Sequence, residues 1–377
     1  MHRSPLDFWL LFGYDDVSRF LRDPTLSVED RRARPRPIDH LTRELIGDRA
    51  DRGQYAMLNR DPPDHTRLRR LVSKAFSPKA LAALGPRVAA LTDAALDRAA
   101  AAGPGRFDLI GDLAFPLPFT VISDMLGMPE TDADRLRSWS GQLVRSLEPL
   151  FDPAALEAIA VAGDAMRAFL TDAIDWKRRH PSDDMLSALI AAEDEGEVLS
   201  DEELLEQILL LYVAGHETTV KLIGNGVLAL VNHRDELEAL VREPGLVAGA
   251  IDELLRSDSP VQMSRRITVA DVDVGDHTIE AGSFVVLVLG SANRDQARWG
   301  ETADDRDLQR AGAAQHLSFG GGAHYCLGAS LARLEGRVAI GRLVERFPRL
   351  DLSGPPTWNG RINLRGLSSL PLSLCTR

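Results

Sequence analysis

Apolar residues recur at helical spacing through most of the chain, as at Leu81, Leu84, Val88, Leu91 and Leu96, and Ala, Leu, Arg, Asp and Glu dominate to about residue 256. That part is predicted to be helical. Ser200-Asp-Glu-Glu203 forms a capping box that opens a pattern running to about Asn232, long enough for a helix of about 48 Å. Between Ile208 and Leu230 this helix is apolar nearly all round, so it is predicted to be buried. From Arg266 to Leu289 the period changes to β-branched alternation with Gly-Asp and Ala-Gly breaks, which predicts a small sheet. A further helix runs from Ala329 to about Arg346, stopped by Phe347-Pro348, and short strands and turns are expected from Trp358 to Leu374. Two prolines, Pro62 and Pro63, precede a helix that carries His65 and Arg69 one turn apart on one face. Arg31 to Pro37 reads as a loop. No repeat or low-complexity linker interrupts the chain, so the expectation is one mainly α domain over residues 1–377 with a small β subdomain.

Composition narrows the classes of function. The chain is 44% hydrophobic and 27% charged, an ordinary globular balance, and its formal charge of −12 has the wrong sign for a general nucleic-acid binder. Its longest apolar run, Ile208 to Ala214, is far short of the roughly 18 residues a spanning helix needs, and the first residues lack the pattern of a secretory signal. The two cysteines, Cys326 and Cys375, have neither CxxC spacing nor a disulfide-scaffold pattern. A cytoplasmic protein without membrane or nucleic-acid partners, and a monomer, is expected.

The chemistry concentrates in two places. In the first, Phe319-Gly-Gly-Gly-Ala-His-Tyr-Cys-Leu-Gly places three glycines before a cysteine that opens a helix. The glycines let the backbone lie flat against a neighbour, and a cysteine at a helix N-terminus is biased toward thiolate by the dipole and the unpaired amides. Such a sulfur is a metal ligand or a nucleophile. In the second, the polar run Gly215-His216-Glu217-Thr218-Thr219 interrupts the buried helix, where polar groups are costly unless partnered. Gly215 also costs about 1 kcal/mol relative to Ala, and a Thr hydroxyl bonded four residues back can bend a helix. Both runs look like parts of a site.

These motifs resemble the cytochrome P-450 family. The cysteine loop matches its Phe-x-x-Gly-x-x-x-Cys-x-Gly signature at Phe319, Gly322, Cys326 and Gly328, and the match continues through Ala329, Ala332, Arg333 and Glu335. The resemblance implies a triangular, mainly helical fold holding haem b between the long central helix and the cysteine loop. Cys326 would be the axial thiolate, the ligation the family is known for. His324 would reach a haem propionate, and Gly320 would line the cofactor with Phe319 and Gly328. Ala214-Gly215-x-Glu217-Thr218 matches the oxygen-binding helix, in which Gly215 leaves room for O2, Thr218 stabilises it at the metal and Glu217 relays protons through water. Glu253 and Arg256, a mere surface pair by spacing alone, match a buried structural Glu-x-x-Arg pair. His65 and Arg69 match the family's propionate-binding pair, and a third cation comes from Arg265 or Arg266, with Arg266 favoured by its distance to Asp271.

By the same resemblance the function is monooxygenation of a lipophilic small molecule. Electrons would come from NAD(P)H through separate partners, a ferredoxin reductase and a ferredoxin. The alternatives are a peroxide-driven peroxygenase and a noncatalytic haem or recruitment protein; intact Glu217 and Thr218 argue against both. Substrate choice is expected to lie in the loop from Arg36 to Met57, in the helices and turn from about Leu136 to Arg179, which would form a lid, and in the strip Val261 to Ser264. Leu143, Leu147, Val261 and Met263 would line the pocket, with Leu367 from a tail turn. Arg67, Arg70, Lys74, Arg333 and Arg337 would form a basic face that steers an acidic electron donor. Two departures stand out. The start is a few dozen residues short of the family, lacking a helix and strand before Trp9. The segment Trp299 to Arg306 lacks the usual prolines, and its Arg is offset from the position that backs Glu253 and Arg256.

Overall fold

The computed structural model describes every residue except 104, 130–132, 149–151, 195–196 and 376–377. The central helix spans Asp201–Asn232 without a break. It starts where the capping box predicts: the Ser200 hydroxyl accepts from the Glu203 amide at 3.2 Å, and the Glu203 carboxylate accepts from the Ser200 amide at 2.9 Å. Helices Pro116–Leu126, Pro153–Arg179, Val247–Ser257 and Ala329–Arg346 pack around it, and the main hydrophobic core lies at their junctions. Glycine allows the closest of these approaches. A Cβ on Gly336 of the cysteine helix Ala329–Arg346 would lie 2.9 Å from Leu222, and one on Gly226 would lie 3.1 Å from both Leu254 and Ile340. The helix on which Glu217 and Thr218 ride is thereby clamped to the helix that follows Cys326.

The main sheet has the order His2–Arg3, Phe8–Leu11, Phe284–Val288, Met263–Ile267. Phe8–Leu11 runs parallel to Phe284–Val288 and the other pairings are antiparallel. A second core joins this sheet to the helix Tyr14–Arg22 through Leu11, Val17, Phe20, Val285 and Leu287. The predicted β region is therefore correct, and within it Val272–Val274 and His277–Ile279 pair as a separate two-stranded hairpin. The tail returns as the strand Pro371–Cys375 between Arg349–Leu352 and Phe107–Asp108, while Leu367–Ser369 pairs with Thr357–Trp358.

Two expectations need correction. The segment read as a loop from Arg36 to Met57 contains a helix, Pro37–Ile46, whose start is fixed by a proline at its first position and by the Asp39 carboxylate accepting from the Arg36 amide at 2.9 Å. Arg306, the offset arginine, turns to Glu236 at 2.6 Å; the cation that backs the buried pair is Arg310, whose Nε lies 3.1 Å from Glu253 Oε1.

The buried pair itself is fully satisfied. Arg256 donates to both carboxylate oxygens of Glu253 at 2.7 and 2.8 Å and to the carbonyls of Asn293, Ala303 and Asp305. Glu253 also accepts from the Asp307 amide at 2.9 Å, and neither side chain of the pair is exposed. Five carbonyl and carboxylate acceptors on one guanidinium fix the segment 293–310 to helix Val247–Ser257, and that segment leads into the cysteine loop. Arg256→Ala should lower stability by about 3–5 kcal/mol in urea unfolding, because it strands a buried carboxylate.

Glu335 is the opposite case. Its carboxyl is wholly buried, has no good hydrogen-bond partner among the described residues, and is pushed by burial up to about 8, against a small opposing pull from the Thr219 hydroxyl. A folded value above the unfolded one means that the folded state holds the proton more tightly. The associated stability is complete below the unfolded value near 4.5 and is lost as pH rises toward 8. Glu335→Gln should remove this alkaline loss, which a series of melting curves between pH 5 and 9 would read.

Candidate active site

Cys326 lies between the turn Gly322–His324 and the helix Ala329–Arg346. Its amide donates to Phe319 O at 2.9 Å, closing the loop, and Gly320 and Gly322 adopt left-handed backbone at φ 70° and 66°. A Cβ on Gly322 would lie 2.6 Å from Leu21 O, so the glycines seat the loop flat on the end of helix Tyr14–Arg22. The thiol is accessible although surrounded by protein. Burial raises its pKa above the ordinary thiol value; the amides of Gly328 and Ala329, with Arg69 and Arg333, pull the other way. Behind it, the Arg333 guanidinium stacks over Phe319 at 4.6 Å and donates to Asp252 at 2.8 Å.

The predicted cation group assembles beside this loop. His65 and His324 stack with ring centroids 4.1 Å apart, and Arg69 donates to Tyr325 O at 2.7 Å. Arg266 points inward and is 4% exposed, donating to the Leu21 and Arg265 carbonyls, whereas Arg265 turns outward to Asp30 and Asn59. Strand alternation sends the two to opposite faces, and the burial and partners make Arg266 the inner one. Burial, with Arg265 alongside, pulls Arg266 down to about 10, and burial with His65 and the arginines pulls His324 to about 3. Neither Arg69 nor Arg266 has a carboxylate partner among the described residues, and both ring nitrogens of buried His65 lack a hydrogen bond. A cleft lined by Arg265, Arg266, Gly320, Gly321 and His324 opens here. Cationic and polar groups kept without anions in a protein interior fit a ligand that brings its own carboxylates.

On the central helix, Ala214 is exposed and Gly215 and Thr218 are half-buried, in a stretch whose neighbours are buried. Thr218 Oγ1 donates to Ala214 O at 3.1 Å, the back-bond expected from the sequence. Gly215 also has a packing reason: a Cβ there would lie 2.9 Å from Ile122, so glycine lets helix Pro116–Leu126 approach closely.

Glu217 is buried and ringed by cations that the sequence reading missed. Lys221 Nζ is 3.4 Å from Glu217 Oε2, Arg361 is 3.8 Å from the same oxygen, and His216 is 4.0 Å from Oε1. Burial alone would raise the Glu217 pKa; Lys221, His216 and Arg361 overcome it and hold the carboxyl below its ordinary value. Lys221 is lowered, by burial first. Burial pulls the His216 pKa down; its Nδ1 donates to Tyr212 O at 2.7 Å and its Nε2 meets Ser140 Oγ at 3.1 Å. Lys221 was visible only as an i+4 partner, and Arg361 comes from 144 positions away in sequence, beyond any local pattern.

Of the pocket residues, Val261, Met263 and Leu143 are half-buried and Leu147 is 43% exposed, all around the lid and the strip. Leu367 is wholly buried against Gly224, in the core under the central helix. The basic face is weaker than its composition suggests, because Arg67 is paired with Glu203 and Arg333 with Asp252.

Comparison with known proteins gives a consistent result. The sequence profile described as Cytochrome P-450 matches residues 32–359. The chain is 44% identical to cytochrome P-450 107B1 of Saccharopolyspora erythraea, over 97% of this chain and 89% of that protein. It is 41% identical to the vitamin D(3) 25-hydroxylase of Pseudonocardia autotrophica, over 98% and 88%. Its fold superposes with a TM-score of 0.88, at 34% identity and covering 98% of this chain and 92% of the other, on the crystal structure of P-450BioI in complex with an acyl carrier protein ligated with hexadec-9Z-enoic acid.

The haem that such proteins carry fits this site: the accessible Cys326 thiol faces it with two amides behind, and its two propionates would meet the unbonded ring nitrogens of His65 and the guanidinium groups of Arg69 and Arg266, which have no carboxylate partner among the described residues, with His324 alongside. Cys326→Ser should abolish the thiolate-type absorption of the reduced carbon monoxide complex after haem loading, while circular dichroism stays unchanged. Retention of that absorption would remove Cys326 as the ligand.

Proposed function

The chain belongs to the cytochrome P-450 family and is a monooxygenase of small molecules; we propose that its substrate is lipophilic and that a ferredoxin and a ferredoxin reductase supply it with electrons from NAD(P)H. The observation that carries this reading is the pairing on one buried helix of a half-buried hydroxyl, Thr218, with an ionised, buried carboxylate, Glu217. Oxygen activation needs protons delivered one at a time to a place that bulk water does not reach, and a hydroxyl beside a carboxylate meets that need.

When bound, haem supplies the iron that activates O2 and the electron push of a thiolate ligand. Cys326 would give that thiolate, and the Gly328 and Ala329 amides would moderate its charge. His65, Arg69, Arg266 and His324 would hold the propionates and so fix the orientation of the ring. Thr218 already spends its proton on Ala214 O, so its oxygen is left to accept from a water or from an oxygen-bound proton at the pocket wall. Glu217, ionised among Lys221 and Arg361, can take a proton from solvent and pass it on through water, then return to its cation-stabilised form.

Lipophilicity is supported by the half-buried apolar side chains of Leu143, Val261 and Met263. It is also supported by the company the chain keeps, since one relative is named for hydroxylating vitamin D(3) and one structural neighbour holds a long-chain acyl group. Among the described residues no helix is long and apolar enough to cross a membrane.

Thr218→Ala should keep haem and still consume NAD(P)H in the presence of ferredoxin and reductase, but product per NAD(P)H should fall by about tenfold or more, with hydrogen peroxide making up the difference. Unchanged coupling would take Thr218 out of the relay. Turnover with hydrogen peroxide alone that matched the reconstituted system would replace the electron-transfer reading with a peroxygenase.

A further inference from the structure

The turn between Asn359 and Leu364 is shaped by one side chain: Asn359 Oδ1 accepts from the Arg361 amide at 3.0 Å and its Nδ2 donates to Leu364 O at 2.8 Å. This leaves three consecutive amides to be satisfied elsewhere, and all three go to a single carboxylate. Ile362, Asn363 and Leu364 donate to Glu148 at 2.9, 2.9 and 3.0 Å. Successive amides converging in this way form an anion cradle, and charged acceptors make the stronger bonds. Glu148 ends the lid segment formed by helix Ala133–Leu143 and the turn Val144–Leu147. Two more bonds fix the same segment: Asn363 Nδ2 donates to Leu147 O at 3.2 Å, and Arg361 donates to Gly141 O at 2.7 Å.

On its other side the turn holds the substrate strip. Asn363 O accepts from the Gln262 amide at 2.9 Å, Asn363 Oδ1 accepts from the Met263 amide at 3.0 Å, and Leu364 bridges to Val261. Its third neighbour is the central helix. The second terminal nitrogen of Arg361 and the Glu217 oxygen it faces at 3.8 Å are both buried, and neither has a hydrogen bond. Lys221 and His216 also face Glu217, and Arg137 of the lid helix lies near enough to act on Lys221 and His216. Gly141 O therefore holds Arg361 at a fixed distance from Glu217, close enough to attract the carboxylate but not to bind it.

We propose that this tail turn makes proton delivery depend on lid closure: Glu148 seats the turn against the lid, and the seated turn makes Arg361 a positioning residue for Glu217. With the lid closed, Arg361 is held by Gly141 and Glu217 stays free to move between its cations and the Thr218 side of the helix. When the lid lifts, Gly141 O leaves, and Arg361 closes the 3.8 Å gap and immobilises the carboxylate. Protons would then reach the oxygen site efficiently only over an enclosed substrate, the condition under which reductant is not wasted. The proposal rests on the relay role given to Glu217 above.

The test uses the haem-loaded protein with its substrate or with a lipophilic ligand that shifts the haem spectrum, and compares Glu148→Ala, Glu148→Gln, Arg361→Gln, Arg361→Lys and Glu217→Gln. Amide hydrogen exchange reads the latch directly. Glu148→Ala should speed exchange at Ile362, Asn363 and Leu364 and across the lid segment by about tenfold or more, with Glu148→Gln in between. Unchanged exchange would overturn the latch. Product per NAD(P)H and its solvent isotope effect read the relay. Glu148→Ala and Arg361→Gln should each lower coupling several-fold, the double variant should be no worse than the more severe single one, and Arg361→Lys should restore part of the loss. Additive losses would mean that Glu148 does not act through Arg361, and would overturn the coupling. If Glu217→Gln leaves coupling unaltered, the relay reading itself fails, and the exchange data then decide the latch alone.

Discussion

A carboxylate halfway along a buried helix has to be neutralised, protonated or moved out to water, and burial of Glu217 forbids the last. The chain neutralises it, with Lys221 one turn further along and Arg361 reaching in from the tail. Much of the distal architecture follows from that choice. Gly366 lies where a Cβ would strike the Lys221 stem at 2.5 Å, so the tail can pass close to the central helix only with glycine there. The tail that carries Arg361 must then be anchored, and Glu148, Gly141 and the strip at Gln262 and Met263 provide the anchors. An electrostatic requirement at one atom thus organises the contacts among lid, tail and strip.

On the opposite side of the site the governing requirement is also a buried charge, but the solution is rigid. Glu253 and Arg256 use every bonding direction on partners from three segments, and Asp252 on the adjacent position holds Arg333 over Phe319. The thiol loop is therefore held by a network with little freedom, whereas Glu217 sits among partners that do not quite reach it. The contrast would suit the two roles proposed for them: a ligand to a metal gains from a fixed position, and a group that carries protons must move.

How much of this the sequence discloses depends on the separation of the partners. The cysteine loop, the Glu217-Thr218 run, the pair Glu253 and Arg256, and the pair His65 and Arg69 are all local spacings, and each lies on the element expected of it, although the burial of Glu253 and Arg256 came from the resemblance and not from their spacing. The choice of Arg266 over Arg265 was half legible, since strand alternation guarantees that one faces inward but does not say which. Arg310, Arg361 and Glu148 were not legible, because each acts through a partner between 57 and 216 positions away and nothing in its own neighbourhood marks it. Gly215 was legible as an anomaly, but its close packing against Ile122 on another helix was not. The helix Pro37–Ile46 was hidden by the prolines and charges around it, which read as loop although one of those prolines starts the helix.

The turn Arg361 to Leu364 has Ile362 largely exposed and only Leu364 in the core, so a designer seeking a new substrate range would see a permissive loop and randomise it. Their backbone amides, the Asn363 oxygens and one guanidinium nevertheless touch the lid, the strip and the central helix at once. A library built there would change selectivity and reductant economy in the same clones, and screening for product alone would enrich variants that spend more cofactor for each molecule made. The side chain of Leu143, half-buried beside the lid and carrying none of those bonds, is a position where the two properties could be varied separately.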